Sequence, residues 1–371
     1  MQNYRVSAWD LNANTLLTDL AVRDSSYNVR MNDAGECSFS LPLADPMAKD
    51  LTAVILGLDD VPFKVLVTAN DNSRILYAGM VTKPAMESSS EWLICTGKAL
   101  PSYFLQTVIP NDYTAPIDPA VLVQNVIADV QAQPGYNIGI LTRQQVAATP
   151  ANITPVYPKT QRTTVAQVLT DVTAAVAPGT GGVDYYMEHA FISGAPQHTL
   201  VVAAPRSGRS SVTSQLKLDL MGPGVEWKRS ADSTAAGNHI TVVGSGSGAV
   251  QPNATATATF PVGGAGQPPR LDQILQFNHI QSQSQLQLIA NGAVQMFGHS
   301  VLALTVTLPT DFEGLSLGDF TIGDDVQVWS EPSIWFPKGL NVWLRIVAYR
   351  VDLANEGVSK MTLTFNRPPV F

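Results

Sequence analysis

Charge is scarce in this chain. Only 14% of its 371 residues are Asp, Glu, Lys or Arg, against about 25% in an average globular protein. What charge there is leans acidic, with 30 acidic and 22 basic side chains for a formal net of −8. Gripping nucleic acid takes clustered Lys and Arg that displace counterions from phosphates, and the sequence has no basic run or stripe. Cysteine is nearly absent. Cys37 and Cys95 each sit in an alternating apolar stretch, as in Cys37-Ser38-Phe39-Ser40-Leu41, and read as small buried hydrophobes. The spacing leaves a Cys37–Cys95 disulfide open but excludes a disulfide-rich secreted framework. Long apolar runs are missing too: nothing approaches the ~18 consecutive apolar residues of a membrane span, and Met1 to Asp10 lacks the basic and apolar regions of a signal peptide.

The motifs of common chemistries are also thin. The five histidines, His189, His198, His239, His279 and His299, include no i, i+4 pair of the kind that holds zinc on a helix. Tyr185-Tyr186-Met187-Glu188-His189 approaches an inverted zincin motif but has Tyr185 where the first His must be, so Glu188 and His189 read as strand or turn residues. Gly244-Ser245-Gly246-Ser247-Gly248 lacks the Lys-Ser/Thr of a phosphate loop and has no helix after it to present backbone amides. It reads as a turn between strands. These readings nominate no catalytic residue, metal or cofactor.

What is present is β-pattern. Hydrophobic residues make up 45% of the chain, with 27 Gly and 25 Pro, enough for packed cores and many turns. The length suggests two to four domains. Over residues 1–109, Tyr4, Val6 and Ala8 alternate with polar neighbours, as do Cys37, Phe39 and Leu41, and Val61, Phe63, Val65 and Val67. Period two in short runs predicts half-buried antiparallel strands. Residues 110–222 change period. Asp118-Pro119 supplies a cap and a first-turn proline to a helix with Leu122, Val123, Val126, Ile127 and Val130 on one face. Thr164 and Gln167 form a capping box before the stripe Val165, Val168, Leu169, Val172 and Val176. Two strands follow, near 185–188 and 199–203. Residues 223–371 return to β, with strands expected at 239–243 and 254–260 around a Gly/Ser-rich turn, a flexible loop at about 249–270 that is irregular over 261–270, and one helix at about 284–297, capped by Ser284 and Gln287. Trp329 and Trp343 are expected inside the β domain, and Trp335 and Phe336 at an exposed hairpin tip, a candidate protein-contact site.

A weak duplication runs through this pattern. Gly35 to Pro42 is a Gly-led segment ending in Pro, and Asp60, in Leu58-Asp59-Asp60-Val61, opens a strand 18 residues later. Gly298 to Pro309 is another, and Asp325, in Gly323-Asp324-Asp325-Val326, opens a strand 16 residues later. Each copy then has a hairpin partner and a closing strand, Trp92-Leu93-Ile94 in one and Met361-Thr362-Leu363 in the other. The shared order predicts two similar β-barrels or sandwiches flanking an α/β insertion, a mainly β (α+β) fold with domains at 1–109, 110–222 and 223–371. Val61 and Val326 are expected to begin corresponding strands.

The C-terminal segment GDDVQVWSEPSIWFPKGLNVWLRIVAYRVDLANEGVSKMTLTF resembles the end of the baseplate hub and minor tail proteins of long-tailed bacteriophages, where a Gly-Asp-x-Val strand leads to an Arg-Ile-Val strand and a closing Leu-Thr-Leu strand. The opening, YRVSAWDLNANTLLTDL and GECSFSLPLADP, and the central TTVAQVLTDVTAAVAPGTGGVDYYMEH resemble the same family. The resemblance implies a structural protein and not an enzyme. It implies a homotrimeric tail-tip hub whose chains each give two tail-tube-like barrels. One side meets the distal tail protein, tail tube and tape-measure protein; the other meets a fibre or spike. DNA passes through the channel without specific binding, and the location is the distal end of the virion tail, assembled in the host cytoplasm. Two other classes remain: a receptor- or carbohydrate-binding minor tail protein and, less favoured, a tail-associated cell-wall hydrolase.

Overall fold

The structure is a computed structural model, and it describes residues 4–43, 63–69, 74–86, 91–146, 152–174, 183–232, 237–246, 251–259, 269–278, 280–297, 301–354 and 358–366. Seven strands come first: β1 (Tyr4–Asp10), β2 (Leu16–Asp19), β3 (Arg23–Arg30), β4 (Glu36–Pro42), β5 (Phe63–Ala69), β6 (Ile75–Met86) and β7 (Trp92–Ala99). A middle stretch follows with α1 (Pro119–Gln131), β8 (Ile140–Val146), α2 (Val165–Ala174), β9 (Asp184–Ile192) and β10 (Ala195–Ala204). Next come β11 (Lys217–Asp219), β12 (Glu226–Asp232), β13 (His239–Val243), β14 (Asn253–Thr257), β15 (Asp272–Gln276) and α3 (Gln283–Phe297). The chain ends with β16 (Val301–Pro309), β17 (Asp325–Ser330), β18 (Leu340–Leu353) and β19 (Lys360–Asn366).

The fold is mainly β, as the alternation predicts. Thirteen strands join into one sheet, ordered β12-β16-β19-β18-β3-β4-β7-β6-β5-β1-β2, with β17 against β18 and β11 against β17. The pairing order β3-β4-β7-β6-β5 at one end matches β12-β16-β19-β18-β17 at the other. In both halves the strand before the last is long and carries a bulge where it meets the closing strand, between Val81 and Lys83 in β6 and between Ile346 and Ala348 in β18. A bulge bends a strand and increases its twist, so each half curls over the core. The halves are continuous: β18 pairs with β3, Val351 opposite Tyr27, and one apolar core runs from Val6, Phe39 and Leu93 to Val306, Val326 and Leu363.

Two smaller units complete the molecule. β8-β10-β9 is a mixed sheet whose apolar face packs with α1, α2 and residues Leu66, Ile75 and Ala78 of the large sheet. Both predicted N-caps form, although the Thr164–Gln167 box closes on one side only, because the Gln167 amide donates to Asp171 Oδ1 at 2.7 Å. Asp118 Oδ1 accepts from Ala120 N at 2.7 Å, and Thr164 Oγ1 accepts from Gln167 N at 3.2 Å. β14-β13-β15 is a separate three-stranded sheet closed by α3, with its own core of Ile240, Val242, Leu286 and Ile289. Alternation alone groups these strands with β16–β19 in one expected β domain. Their alternation matches any other strand's, and only the partner strands distinguish the sheets. β14 falls where alternation predicts the strand at 254–260, with Ala254 and Ala256 opposite Val242 and Ile240, so the expected loop from about 249 begins too early. The cap of α3 is Ser282, whose hydroxyl accepts from Gln285 N, two residues before the expected Ser284. The doublet Asp59-Asp60 and Val61 lie outside the described residues, so their equivalence to Asp324, Asp325 and Val326 is not observed. Among the described residues no helix is long and apolar enough to cross a membrane.

Candidate functional site

A dense polar cluster sits where the β8-β10-β9 sheet meets the large sheet. Asp184 opens β9, Arg345 lies in β18, and both are buried. Arg345 Nη2 donates to Asp184 Oδ2 at 2.5 Å and to Ser207 O at 2.9 Å, and its Nε donates to Gly323 O at 3.1 Å. Asp184 also accepts from Ser207 N at 2.9 Å and from Asn32 Nδ2 at 3.0 Å. The doublet that opens β17 is clamped from the β10–β11 connection. Arg206 grips Asp325 with two nitrogens at 2.7 and 3.0 Å. Arg209 reaches Asp324 Oδ2 with Nη2 at 2.6 Å and Nε at 3.0 Å. Three carboxylates meet three guanidiniums, and neighbouring amides add further bonds: Asp324 accepts four hydrogen bonds and Asp184 and Asp325 three each. Such compensation is what makes buried charge tolerable. The cluster ties the β10–β11 connection and the start of β9 to the large sheet.

A second polar joint lies between β5 and the β9–β10 hairpin. His189 and His198 are cross-strand partners with their Nδ1 atoms 3.0 Å apart. Burial pushes His189 down to about 3 and His198 to about 2, so at neutral pH both rings are uncharged and share one hydrogen bond. His198 Nε2 is buried and finds no hydrogen-bond partner among the described residues. Lys64 of β5 is buried and donates to Asn14 Oδ1, with burial pushing it down to about 8. Asn14 in turn donates to Pro196 O at 2.8 Å, tying the hairpin to the large sheet. Among the described residues no group of three or more His, Cys, Asp or Glu is placed to hold a metal.

Gly314-Leu315-Ser316-Leu317-Gly318 has the G-x-S-x-G spacing of a nucleophile elbow and escaped the sequence reading. An elbow needs a strand before the serine and a helix after it. Here the segment is a series of turns, and the Ser316 hydroxyl donates to the Asp319 carboxylate, not to a histidine. A polar cavity of about 510 Å³ lies nearby, lined by Arg74, Arg143, Glu188, His189 and Gly318. Arg143 and Glu188 neutralise each other at 2.7 Å, and Arg74 donates to Leu317 O at 2.7 Å.

The aromatic tip is split. Trp335 is 64% exposed and its neighbour Ile334 86%, but Phe336 is buried, a correction to the expectation that both stand out. The turn explains it. Phe336 N donates to the Ser333 hydroxyl and Ser333 N to Phe336 O, which rolls the Phe336 ring onto Trp227 with centroids 5.2 Å apart. Trp329 also departs from expectation, at 37% exposed, because it falls on the outward phase of β17; Trp343 is half-buried. The cysteines are both buried and free, their thiols pushed up by burial to about 11 for Cys37 and about 12 for Cys95.

No family model matches the sequence, and no curated protein does. Solved structures match over nearly the whole chain. The tail protein of Neisseria meningitidis aligns with a TM-score of 0.59 at 13% identity, covering 98% of this chain and 97% of that one. The 43 kDa tail protein of prophage MuSo2 from Shewanella oneidensis aligns with a TM-score of 0.56 at 10% identity, covering 98% of each. A prophage tail protein of Listeria monocytogenes aligns with a TM-score of 0.53 at 10% identity, covering 98% and 95%. The chain has the fold of phage tail proteins.

Proposed function

We propose that this chain is a structural tail protein and serves as the hub at the tail tip. In this reading three copies surround a channel. One side meets the sixfold tail tube, the distal tail protein and the tape-measure protein. The other meets a threefold fibre or spike, at the distal end of a virion tail assembled in the host cytoplasm. The observation that carries the reading is the repeated strand order, β3-β4-β7-β6-β5 and β12-β16-β19-β18-β17, within one polypeptide. Two like units per chain turn a trimer into six like edges, which is what a sixfold tube end presents. The proposed division is 1–109 and 223–371 for the like units and 110–222 for the part between them. The acidic net charge suits a channel that lets a polyanion pass without holding it. No hydrolytic activity belongs to this reading; clearing of purified cell walls by the protein alone, lost with one carboxylate, would contradict it.

Electron microscopy of the purified protein tests the hub directly. A ring with a central hole and a trimeric mass is the expected result. A solid monomeric particle that binds no tail component overturns it. The exposed Trp335 favours one second reading, a glycan-binding tail protein. Glycan binding that disappears in Trp335→Ala would put that reading first.

A further inference from the structure

Eight arginines of this protein rest against an Asp or Glu carboxylate. Arg74, just before β6, has no carboxylate partner among the described residues, yet it is held in place. Its Nη2 donates to Leu317 O at 2.7 Å. Its guanidinium lies directly over Gly318, where a Cβ would collide with it. This seat leaves Nε and Nη1 without an acceptor among the described residues. Arg74 lines the cavity of about 510 Å³ between the β9–β10 hairpin and the turns at 317–321. The same wall holds the Gln197 amide, the Thr199 and Thr321 hydroxyls and the Tyr349 phenol. None of these side-chain groups has a hydrogen-bond partner among the described residues. The charges of the lining sum to one positive, Arg74 and Arg143 against Glu188 with His189 neutral, in a chain whose net is −8.

We propose that this cavity binds one acidic sugar unit, its carboxylate or phosphate on Arg74 and its hydroxyls on Gln197, Thr199 and Thr321. A guanidinium fixed at one nitrogen offers its other N–H groups in the fork that matches the paired oxygens of either anion. The neighbouring amide and hydroxyls both donate and accept, as sugar hydroxyls do. Tyr349, held edge-on to Phe320 with centroids 5.3 Å apart, adds a fixed aromatic wall. The volume falls within the ~300–1,000 Å³ of small-molecule sites. A neutral sugar makes no use of the guanidinium, and a bare anion leaves the hydroxyl wall to water, so the ligand needs both parts. Trp335 does not line the cavity, so this site is separate from the exposed tip, and it stands whether or not the chain is a hub.

Titration calorimetry of the full chain with glucuronate, glucose 6-phosphate, glucose and inorganic phosphate tests this. Glucuronate carries the carboxylate and glucose 6-phosphate the phosphate, so the two separate the sources of the anion. The expected result is saturable binding of at least one of them, about tenfold or more tighter than glucose and than inorganic phosphate. Arg74→Gln should weaken that binding about tenfold or more, the loss of a charge-assisted pair. Its urea midpoint should not move, because the Arg74 side chain is exposed. Thr199→Val should weaken it about threefold or more through one lost neutral hydrogen bond, and Trp335→Ala should leave it unchanged. No saturable binding of either acidic sugar overturns the proposal. Binding that survives Arg74→Gln in full overturns it as well. Inorganic phosphate held as tightly as glucose 6-phosphate, with glucuronate unbound, overturns it in favour of an adventitious ion only.

Discussion

The β8-β10-β9 sheet is held to the large sheet at two joints of opposite electrostatic design. At one end three carboxylate–guanidinium pairs match their charges, with Arg345, Asp184, Asp325 and Asp324 buried, Arg206 half-buried and Arg209 exposed at the rim. At the other, Lys64, His189, His198 and Asn14 bring together one ammonium and two neutral rings, and the ammonium donates to an amide oxygen. Moving charge out of water costs several kcal/mol per ion, and only paired, hydrogen-bonded geometry offsets it. The first joint should therefore be fragile to loss of any one partner and the second indifferent or even grateful for it. Protonation state, in turn, should matter to the second.

The largest effect is expected at Arg345. Arg345→Met leaves Asp184 buried without its cation and removes the donor to Ser207 O and Gly323 O, for a loss of about 3–5 kcal/mol. Urea unfolding measures it, and a loss below about 1 kcal/mol would mean that water enters the joint. Next is Gly208, which crosses the same joint at φ +75°. A Cβ there collides with the Gly323–Asp324 peptide, and neither backbone has room to yield. Gly208→Ala should cost about 2–4 kcal/mol, and the loss should shrink when Arg345 is already mutated, because both act through the position of Gly323.

Part of this contrast is legible in the sequence. Asp324-Asp325 before an alternating run marks the start of β17, and the caps at Asp118 and Thr164 mark both helices of the middle stretch, since those signals are local. The partners of the doublet are not legible: Arg206 and Arg209 lie more than a hundred residues away in a Gly/Ser-rich connection that reads as plain loop. Lys64 sits in Phe63-Lys64-Val65-Leu66-Val67, where alternation gives it a solvent face. That face is instead covered by the β9–β10 hairpin, a tertiary contact no period reveals. The same limit hid the β3–β18 pairing, which merges two expected β units into one sheet, and the inward roll of Phe336, decided by a single hydroxyl on Ser333.

Acid should separate the joints. His189 and His198 titrate far below the ordinary histidine value in the folded protein, so below pH ~6.5 the unfolded chain binds protons that the folded one does not. Their contribution is complete above pH ~6.5 and is lost as pH falls toward about 3. The slope is at most about 1.4 kcal/mol per pH unit for each ring. A His189→Gln, His198→Gln double variant should unfold with a flatter dependence between pH 6.5 and 5. An unchanged slope would show that the rings are already solvated or charged.

The smallest effect has the opposite sign. Burial depresses Lys64 from the usual lysine value of 10.5 to about 8, so the folded state favours the neutral amine. The sign follows from linkage: the unfolded chain holds its proton up to pH ~10.5, so the group's contribution is present above that value and is lost as pH falls through about 8. At neutral pH the ammonium is therefore a burden on the fold. Lys64→Met removes the charge at nearly constant volume, beside Leu66 and Met80, at the cost of leaving Asn14 Oδ1 without its donor. The net should be a gain of about 1–2 kcal/mol at pH 7, since exchanging a buried, poorly compensated ion for a packed apolar side chain is neutral to stabilising. The gain should fade as pH rises past 8, where wild-type Lys64 becomes neutral in the fold. A loss of stability at pH 7 would mean that the ammonium has a compensating partner and that the two joints are alike after all.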